Sequence, residues 1–240
     1  MPEAAMKATV CRGCGQGFYY EPIWALGLDL GKSLHAFCDA CKETERMSEK
    51  CAQQESRKQE NEARILAQID PALRETDWRH PKFNLPLWRV VDEWRPTRDE
   101  RWLGIIGAAG RCKTRCMALL AMRVMRAGTR IQWTTALRLH EATGDRRSQL
   151  NGVAVMAREH LADCMHAPWL FLDDFGKNEW GPAFESQLFK ILDHRKNHLL
   201  PTVYSSNAHP DEFSQVISPL NARPIIGRMV EGTTLLNLTA

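Results

Sequence analysis

The stretch "GIIGAAGRCKTR", residues 104–115, comes close to the phosphate-binding pattern G-x-x-x-x-G-K-[ST]. Gly107, Lys113 and Thr114 stand where the pattern requires them, and Cys112 takes the place of its second glycine. Such a loop surrounds phosphates with backbone N–H groups, lays a lysine on the β- and γ-phosphates and offers a hydroxyl to Mg2+. Lys113 and Thr114 are the candidates for the last two roles, and Gly107, Gly110, Arg111 and Cys112 for the cradle. A side chain forced to positive φ costs on the order of 1–2 kcal/mol. Contacts between Lys113 and phosphate are strong enough to offset that, so binding is expected to survive, weakened. Cys112 also lies between Arg111 and Lys113 at the start of a helix, a setting that favours a reactive thiol which nucleotide would shield. An ordinary packed thiol is the alternative.

Further along, "WLFLDDFG" closes an apolar run with Asp173 and Asp174. Beside a phosphate loop, Asp173 would position Mg2+ through its water shell and Asp174 would polarise an attacking water; alone, the pair is an acidic turn ending a core strand. "PTVYSSN" then ends in Asn207, placed to orient that water, and "ARPIIGRMVEG" offers Arg223 and Arg228.

A second chemistry lies near the N-terminus, where Cys11 and Cys14 form "CRGC" and Cys38 and Cys41 form "CDAC". Two C-x-x-C turns can each aim two thiolates at one tetrahedral Zn2+, with Zn–S distances of about 2.3 Å. Four thiolates leave no open position, so such a site is structural. A disulfide or redox dithiol is the alternative, and His35 is a competing ligand. A segment of about 40 residues has too small a core to fold alone, which makes the metal its organiser. Phe18, Tyr19, Tyr20 and Trp24 are expected to cover this module's core rather than to stack on bases.

The elements that must position these groups fall into three zones. Residues 1–43 form a zinc-ribbon-like module, residues 44–80 a charged helical linker, and residues 81–240 an α/β core. The linker is rich in Glu, Gln, Lys and Arg with only scattered apolar points, so it reads as a polar helix that bridges or rests on a partner. In the core, strand-like runs ("RWLGIIG", "TRIQWTT", "APWLFLDD", "LPTVYSSN", "GTTLLNL") alternate with helical ones ("KTRCMALLAMRVMRAG", "ALRLHEATG", "VAVMAREHLADCM", "FESQLFKILDHRKNHL"). That alternation predicts a mostly parallel sheet with helices on both faces and ligands beyond the carboxyl ends of its strands. At 240 residues and 44% hydrophobic, the chain can fill such a core. A formal charge of +3 is too small to mark a nucleic-acid protein by itself. No apolar run is long enough to span a membrane. Paired cysteines and the absence of a secretion-signal layout suggest a reducing, cytoplasmic setting.

Together the phosphate loop, "FLDDFG", "PTVYSSN" and "IIGRMVEG" resemble the AAA+ ATPases of the DnaC/DnaI/IstB group, helicase loaders and transposition helpers, over about residues 80–240. The resemblance implies a P-loop NTPase fold that binds ATP and Mg2+, self-associates, and contacts single-stranded DNA and a replicative helicase or a transposase. It makes Lys113 and Thr114 the Walker A pair, with Thr114 and Asp173 holding magnesium. Asp173 and Asp174 become Walker B, Asn207 the first sensor and Arg228 an arginine finger acting on a neighbouring subunit. Three departures stand out: Cys112 for glycine, Asp174 for the more usual glutamate, and no recognisable C-terminal lid or second sensor. Arg146 and Arg147, in "GDRRSQ", are candidate DNA contacts, since basic loops commonly hold a single strand's backbone. The leading expectation is a DnaC-type helicase loader. Rivals are an IstB-like transposition helper and a non-hydrolysing zinc-containing adaptor with a degenerate loop.

Overall fold

The computed structural model describes residues 6–25, 28–31, 35–176 and 180–238. The chain forms two compact units, residues 1–60 and 61–240, so the charged stretch from 44 to 80 is divided between them.

In the first unit, strand β1 (Lys7–Val10) pairs antiparallel with β2 (Gly17–Tyr20), and β3 (Trp24–Ala25) with β4 (Leu28–Asp29). Helix α1 (Asp39–Leu66) follows and continues into the second unit. It begins earlier than the composition shift at residue 44, with Asp39 in its first turn where the helix dipole favours an acid. Cys41 therefore lies on a helix, whereas Cys11 and Cys14 flank a turn. The aromatic residues do not all cover a core as expected: Tyr20 is buried and Phe18 half-buried, but Tyr19 and Trp24 are exposed. Strand alternation is the reason, since neighbouring residues of a short hairpin face opposite sides. Tyr20 donates its hydroxyl to Asp29 at 2.9 Å, and Lys7 reaches the same carboxylate at 3.0 Å while lying over the Trp24 ring.

The second unit is built on a five-stranded parallel sheet. Its order is β6 (Ile131–Thr135), β7 (Trp169–Phe175), β8 (Thr202–Ser206), β5 (Trp102–Ile106) and β9 (Thr233–Asn237). The helices are α2 (Pro71–Arg74), α3 (Leu85–Glu93), α4 (Lys113–Arg126), α5 (Ala136–Asp145), α6 (Asn151–His166), α7 (Pro182–Asn197) and α8 (Pro219–Val230), with a 3-10 turn at Pro210–Gln215. This is the covered parallel sheet that the alternating runs predicted. Side chains on one face, including Trp102, Ile106, Leu170, Leu172 and Tyr204, pack on α5, α6, α7 and α8. On the other face Leu103, Ile105, Phe171 and Val203 pack on α3, α4 and the end of α1. Burial on both faces explains why these strands read as continuous apolar runs.

Two features fix the layers. A Cβ at Gly104 would fall 2.6 Å from Tyr204 and from Leu235, so the glycine lets the tyrosine lie across β5 and donate to the Met229 carbonyl at 3.2 Å. Arg195 of α7 is fully buried and donates to Thr202 Oγ1 and to the carbonyls of Cys164, Ala167 and Pro201. The stretch "ARPIIGRMVEG" runs through α8, which its prolines hid: Pro219 opens the helix, and Pro224 removes only one bond, toward the carbonyl of exposed Leu220.

Candidate functional site

The phosphate loop leaves the carboxyl end of β5 and enters α4, the setting its sequence demanded. Leu238 N–H donates to the Ile106 carbonyl at 2.8 Å and Gly107 N–H to Ser206 at 3.1 Å, which fastens the start of the loop to its two neighbours. Gly107 has φ of 140°, and a Cβ there would fall 2.7 Å from Leu238, so no other residue fits. Gly110 also has positive φ, 78°. Cys112 takes φ 63° and ψ 18° at the N-cap of α4, the conformation the missing glycine would supply. The backbone has thus kept the loop's shape at the cost of strain on a side chain. Its half-buried thiol lies 3.8 Å from the Lys82 carbonyl. Arg111 is exposed, and its carbonyl accepts from Asn84 Nδ2 at 3.4 Å. The Cys112 side chain makes no capping hydrogen bond to the first turn of α4, and a helix N-terminus of this kind suits an anion.

Buried Lys113 extends back over the loop. Its ammonium donates to Gly107 O at 2.7 Å, to Ala108 O at 2.9 Å and to Asn207 Oδ1 at 2.7 Å. Thr114 Oγ1 donates to Asp173 Oδ1 at 3.0 Å, and the Ser205 hydroxyl donates to the same oxygen. Four residues expected to act together from three separate stretches therefore converge beyond the ends of β5, β7 and β8. Burial pushes the Asp173 carboxyl upward, partly against the pull of the Ser205 and Thr114 hydroxyls. Asp174 is beside it in the left-handed region, at φ 60°, with its N–H on Ser205 Oγ at 3.1 Å.

Other candidates lie elsewhere. Arg228, near the end of α8, binds Asp193 of α7 through Nε at 2.9 Å and Nη2 at 2.8 Å. Arg223 is exposed on the same helix. Arg146 caps α5 and donates to Gln187 Oε1 at 2.5 Å, whereas Arg147 is exposed in the loop that follows.

In the first unit the four paired cysteines come together, with all Sγ atoms within 4.8 Å of one another. All four are free thiols, which leaves the disulfide alternative without support. Cys14 Sγ and Cys38 Sγ are 3.7 Å apart, close to the roughly 3.8 Å edge of a tetrahedron with Zn–S of about 2.3 Å. Backbone N–H groups of Cys38, Cys14 and Gly13 hold the Cys11 thiol down to about 6. Hydrogen bonds with the other three sulfurs, Cys11 first, push Cys41 up to about 12. A cation that joined the cluster would displace the remaining thiol protons, since a metal binds thiolates. His35 lies near Lys42 Nζ, outside this group.

Two features went unforeseen. Ser205 was embedded in an apolar strand run and gave no sign of touching both aspartates. A cavity of about 330 Å3 beside the loop is lined by Thr76, Asp77, His80, Phe83, Cys112 and Arg115. Arg115 anchors this wall through Ala72 O and Thr76 Oγ1, both at 3.3 Å. Proline punctuation around residues 71–86 was the only sign that this segment folds back on the loop.

The family described as IstB-like ATP binding protein matches residues 44–238. None of the curated proteins compared matches the chain in sequence. Among solved structures, the DnaI structure is 18% identical and is matched over 71% of this chain and 95% of that chain, with a TM-score of 0.56. A DNA replication initiation factor is 17% identical over 65% of this chain and 46% of that chain, at 0.53. Replication initiator DnaA bound to AMPPCP and single-stranded DNA is 17% identical over 67% of this chain and 51% of that chain, at 0.52. These likenesses establish the fold, and the chain spans about half the length of the last two structures.

Proposed function

The chain belongs to the IstB-like ATP-binding protein family, and on that premise we propose that its second unit binds and hydrolyses ATP with Mg2+ to deliver a DNA-processing partner to single-stranded DNA. One observation carries this reading: Lys113, Asn207, Thr114 and Asp173 meet at the carboxyl ends of adjacent strands. Phosphate would replace the oxygens now bound by the Lys113 ammonium. Thr114 and Asp173 would hold Mg2+, which would supply charge neutralisation at the phosphates; because the Thr114 hydroxyl gives its proton to Asp173, its lone pairs stay open to a cation. Asn207 and Asp174 would orient and polarise water. The cavity beside Phe83 and His80 would receive the base.

Arg228 belongs to the same proposal as a group acting on a neighbouring subunit. Its contact with Asp193 on its own chain would hold the guanidinium until a neighbour's phosphate competes for it. Arg147 is exposed and suits a phosphodiester contact, while Arg146 would first have to leave Gln187. The four cysteines would hold Zn2+ as the organiser of the first unit.

Two partners fit this chemistry, a replicative helicase and a transposase. Family membership fits the transposition role and the loader role alike. The test is ATP turnover by the full zinc-loaded chain with and without single-stranded DNA, alongside Lys113→Ala. DNA-stimulated turnover abolished by Lys113→Ala supports the ATPase. Function in partner delivery that survives Lys113→Ala identifies the adaptor instead. No affinity for ATP under any of these conditions would overturn the proposal.

A further inference from the structure

Strands β7 and β8 run in register from Leu170↔Thr202 to Leu172↔Tyr204, then slip, so that Phe175 pairs with Ser206. The slip places one extra residue on β7, at the Asp173–Asp174 step, opposite Ser205. A bulge of this kind interrupts the regular ladder, and Asp174 sits there in the left-handed region, at φ 60°. Its N–H donates to the Ser205 hydroxyl at 3.1 Å, and that hydroxyl donates onward to Asp173 Oδ1. Ser205 is buried, so this geometry is not shared with solvent.

We infer that Ser205 is a positioning residue for the cation half of the site, fixing the Asp173 carboxylate and the Asp174 backbone with one hydroxyl. The direction of its bonds carries this. A serine hydroxyl has one proton, and a lone pair that accepts from Asp174 N–H leaves that proton for Asp173. Asp173 Oδ1 then receives two hydroxyl protons, from Ser205 and from Thr114. Its other oxygen is thereby aimed by two fixed points rather than one. The Ser205 hydroxyl bonds to the two aspartates, whereas the phosphate loop's lysine bonds to Gly107, Ala108 and Asn207 and the cavity beside Phe83 is lined by other residues, so its effect belongs to the cation and not to the phosphates or the base.

The inference rests on the nucleotide reading and is tested separately from it. Affinity for a fluorescent ATP analogue is measured on the full zinc-loaded chain with Mg2+ and with EDTA, for wild type, Ser205→Ala, Ser205→Cys and Ser205→Thr. Loss of one hydrogen bond to a charged group corresponds to about a tenfold change. Ser205→Ala should therefore reduce the gain in affinity that Mg2+ brings by about tenfold, with affinity in EDTA unchanged. A merely structural role would lower both. Ser205→Thr keeps the hydroxyl and should keep the magnesium gain. Ser205→Cys has nearly the volume of serine but a weak donor, and should behave like alanine; it decides the case if the threonine methyl lowers affinity in EDTA. A magnesium gain in Ser205→Ala equal to that of wild type overturns this inference alone. A wild-type chain that binds equally well with and without Mg2+ overturns the magnesium reading, and the inference with it.

Discussion

Replacing Cys112 by glycine tests whether the altered loop is a damaged site or a strained but complete one. At φ 63° and ψ 18° the residue occupies the left-handed region, where a side chain costs about 1–2 kcal/mol. Glycine removes that strain but adds unfolded-state entropy of about 0.5–1 kcal/mol. It also forfeits part of the roughly 0.8 kcal/mol of a buried methylene, since the thiol is only half-buried. Cys112→Gly should therefore stabilise the second unit by about 0–1 kcal/mol, and Cys112→Ala, which keeps the strain, should not stabilise it. Affinity behaves differently. The loop already has the backbone conformation a phosphate needs, so the strain is present before and after binding and cancels. ATP affinity in Cys112→Gly should stay within about threefold of wild type, a difference of about 0.65 kcal/mol. Urea unfolding followed by tryptophan fluorescence gives the first quantity and titration with a fluorescent ATP analogue the second. A tenfold gain in affinity with no gain in stability would refute the reasoning, because it would mean that the thiol obstructs the phosphates or that the loop must change shape to bind.

Four further outcomes follow from the same structure. Lys113→Ala removes the donor to Gly107 O, Ala108 O and Asn207 Oδ1, and with it the charged phosphate contact; titration should show at least about a hundredfold loss of ATP affinity. Burial, then Arg138, lowers His160 to about 4. Its stabilising effect is complete above the ordinary histidine value of about 6.5 and is lost as pH falls from there toward 4. The full shift represents about 3 kcal/mol, and screening of the half-buried ring makes the real loss smaller; His160→Gln should flatten the urea-midpoint profile in that window. Arg195, lowered to about 9 by burial, donates to Thr202 Oγ1, Cys164 O, Ala167 O and Pro201 O. Arg195→Leu strands those acceptors and should cost about 3–5 kcal/mol in denaturant unfolding. Elemental analysis of the purified chain should find zinc bound to the four-cysteine cluster, and Cys38→Ser or Cys41→Ser should release it to chelators that wild type resists.

What could be read from sequence divides along a physical line. Strands buried on both faces leave unbroken apolar runs, so "WLGII" and "WLFLDDF" were visible, and a loop whose residues are contiguous carried its own pattern. Asp173 and Asn207 came forward as candidates because each closes such a run, and Lys113 and Thr114 because they belong to that contiguous loop pattern. Contacts that depend on register or on distant packing left no local trace. The hydroxyl of Ser205 reaches both aspartates only because β7 slips by one residue against β8. The pairing of Arg228 with Asp193 needs α8, which its prolines concealed, to lie against α7. Tyr19 and Trp24 were misjudged because aromatic content says nothing of which side of a hairpin each residue takes.

Non-glycine residues with positive φ among the described residues are Cys112, Asp174 and Leu199, and the first two border the proposed phosphate and cation positions. Each costs of order 1–3 kcal/mol and persists only where its surroundings hold it. The two are held by different means. Asp174 is pinned by a bulge between two central strands, with its N–H on the buried Ser205 hydroxyl. Cys112 has no side-chain cap bond, only a long contact from its thiol to the Lys82 carbonyl, and lies where the loop meets α4. The cation half of the site is therefore built into the sheet, while the phosphate half lies in the turn that joins interior strand β5 to α4. The aspartates thus form a fixed frame beside a loop that already holds the conformation a phosphate needs.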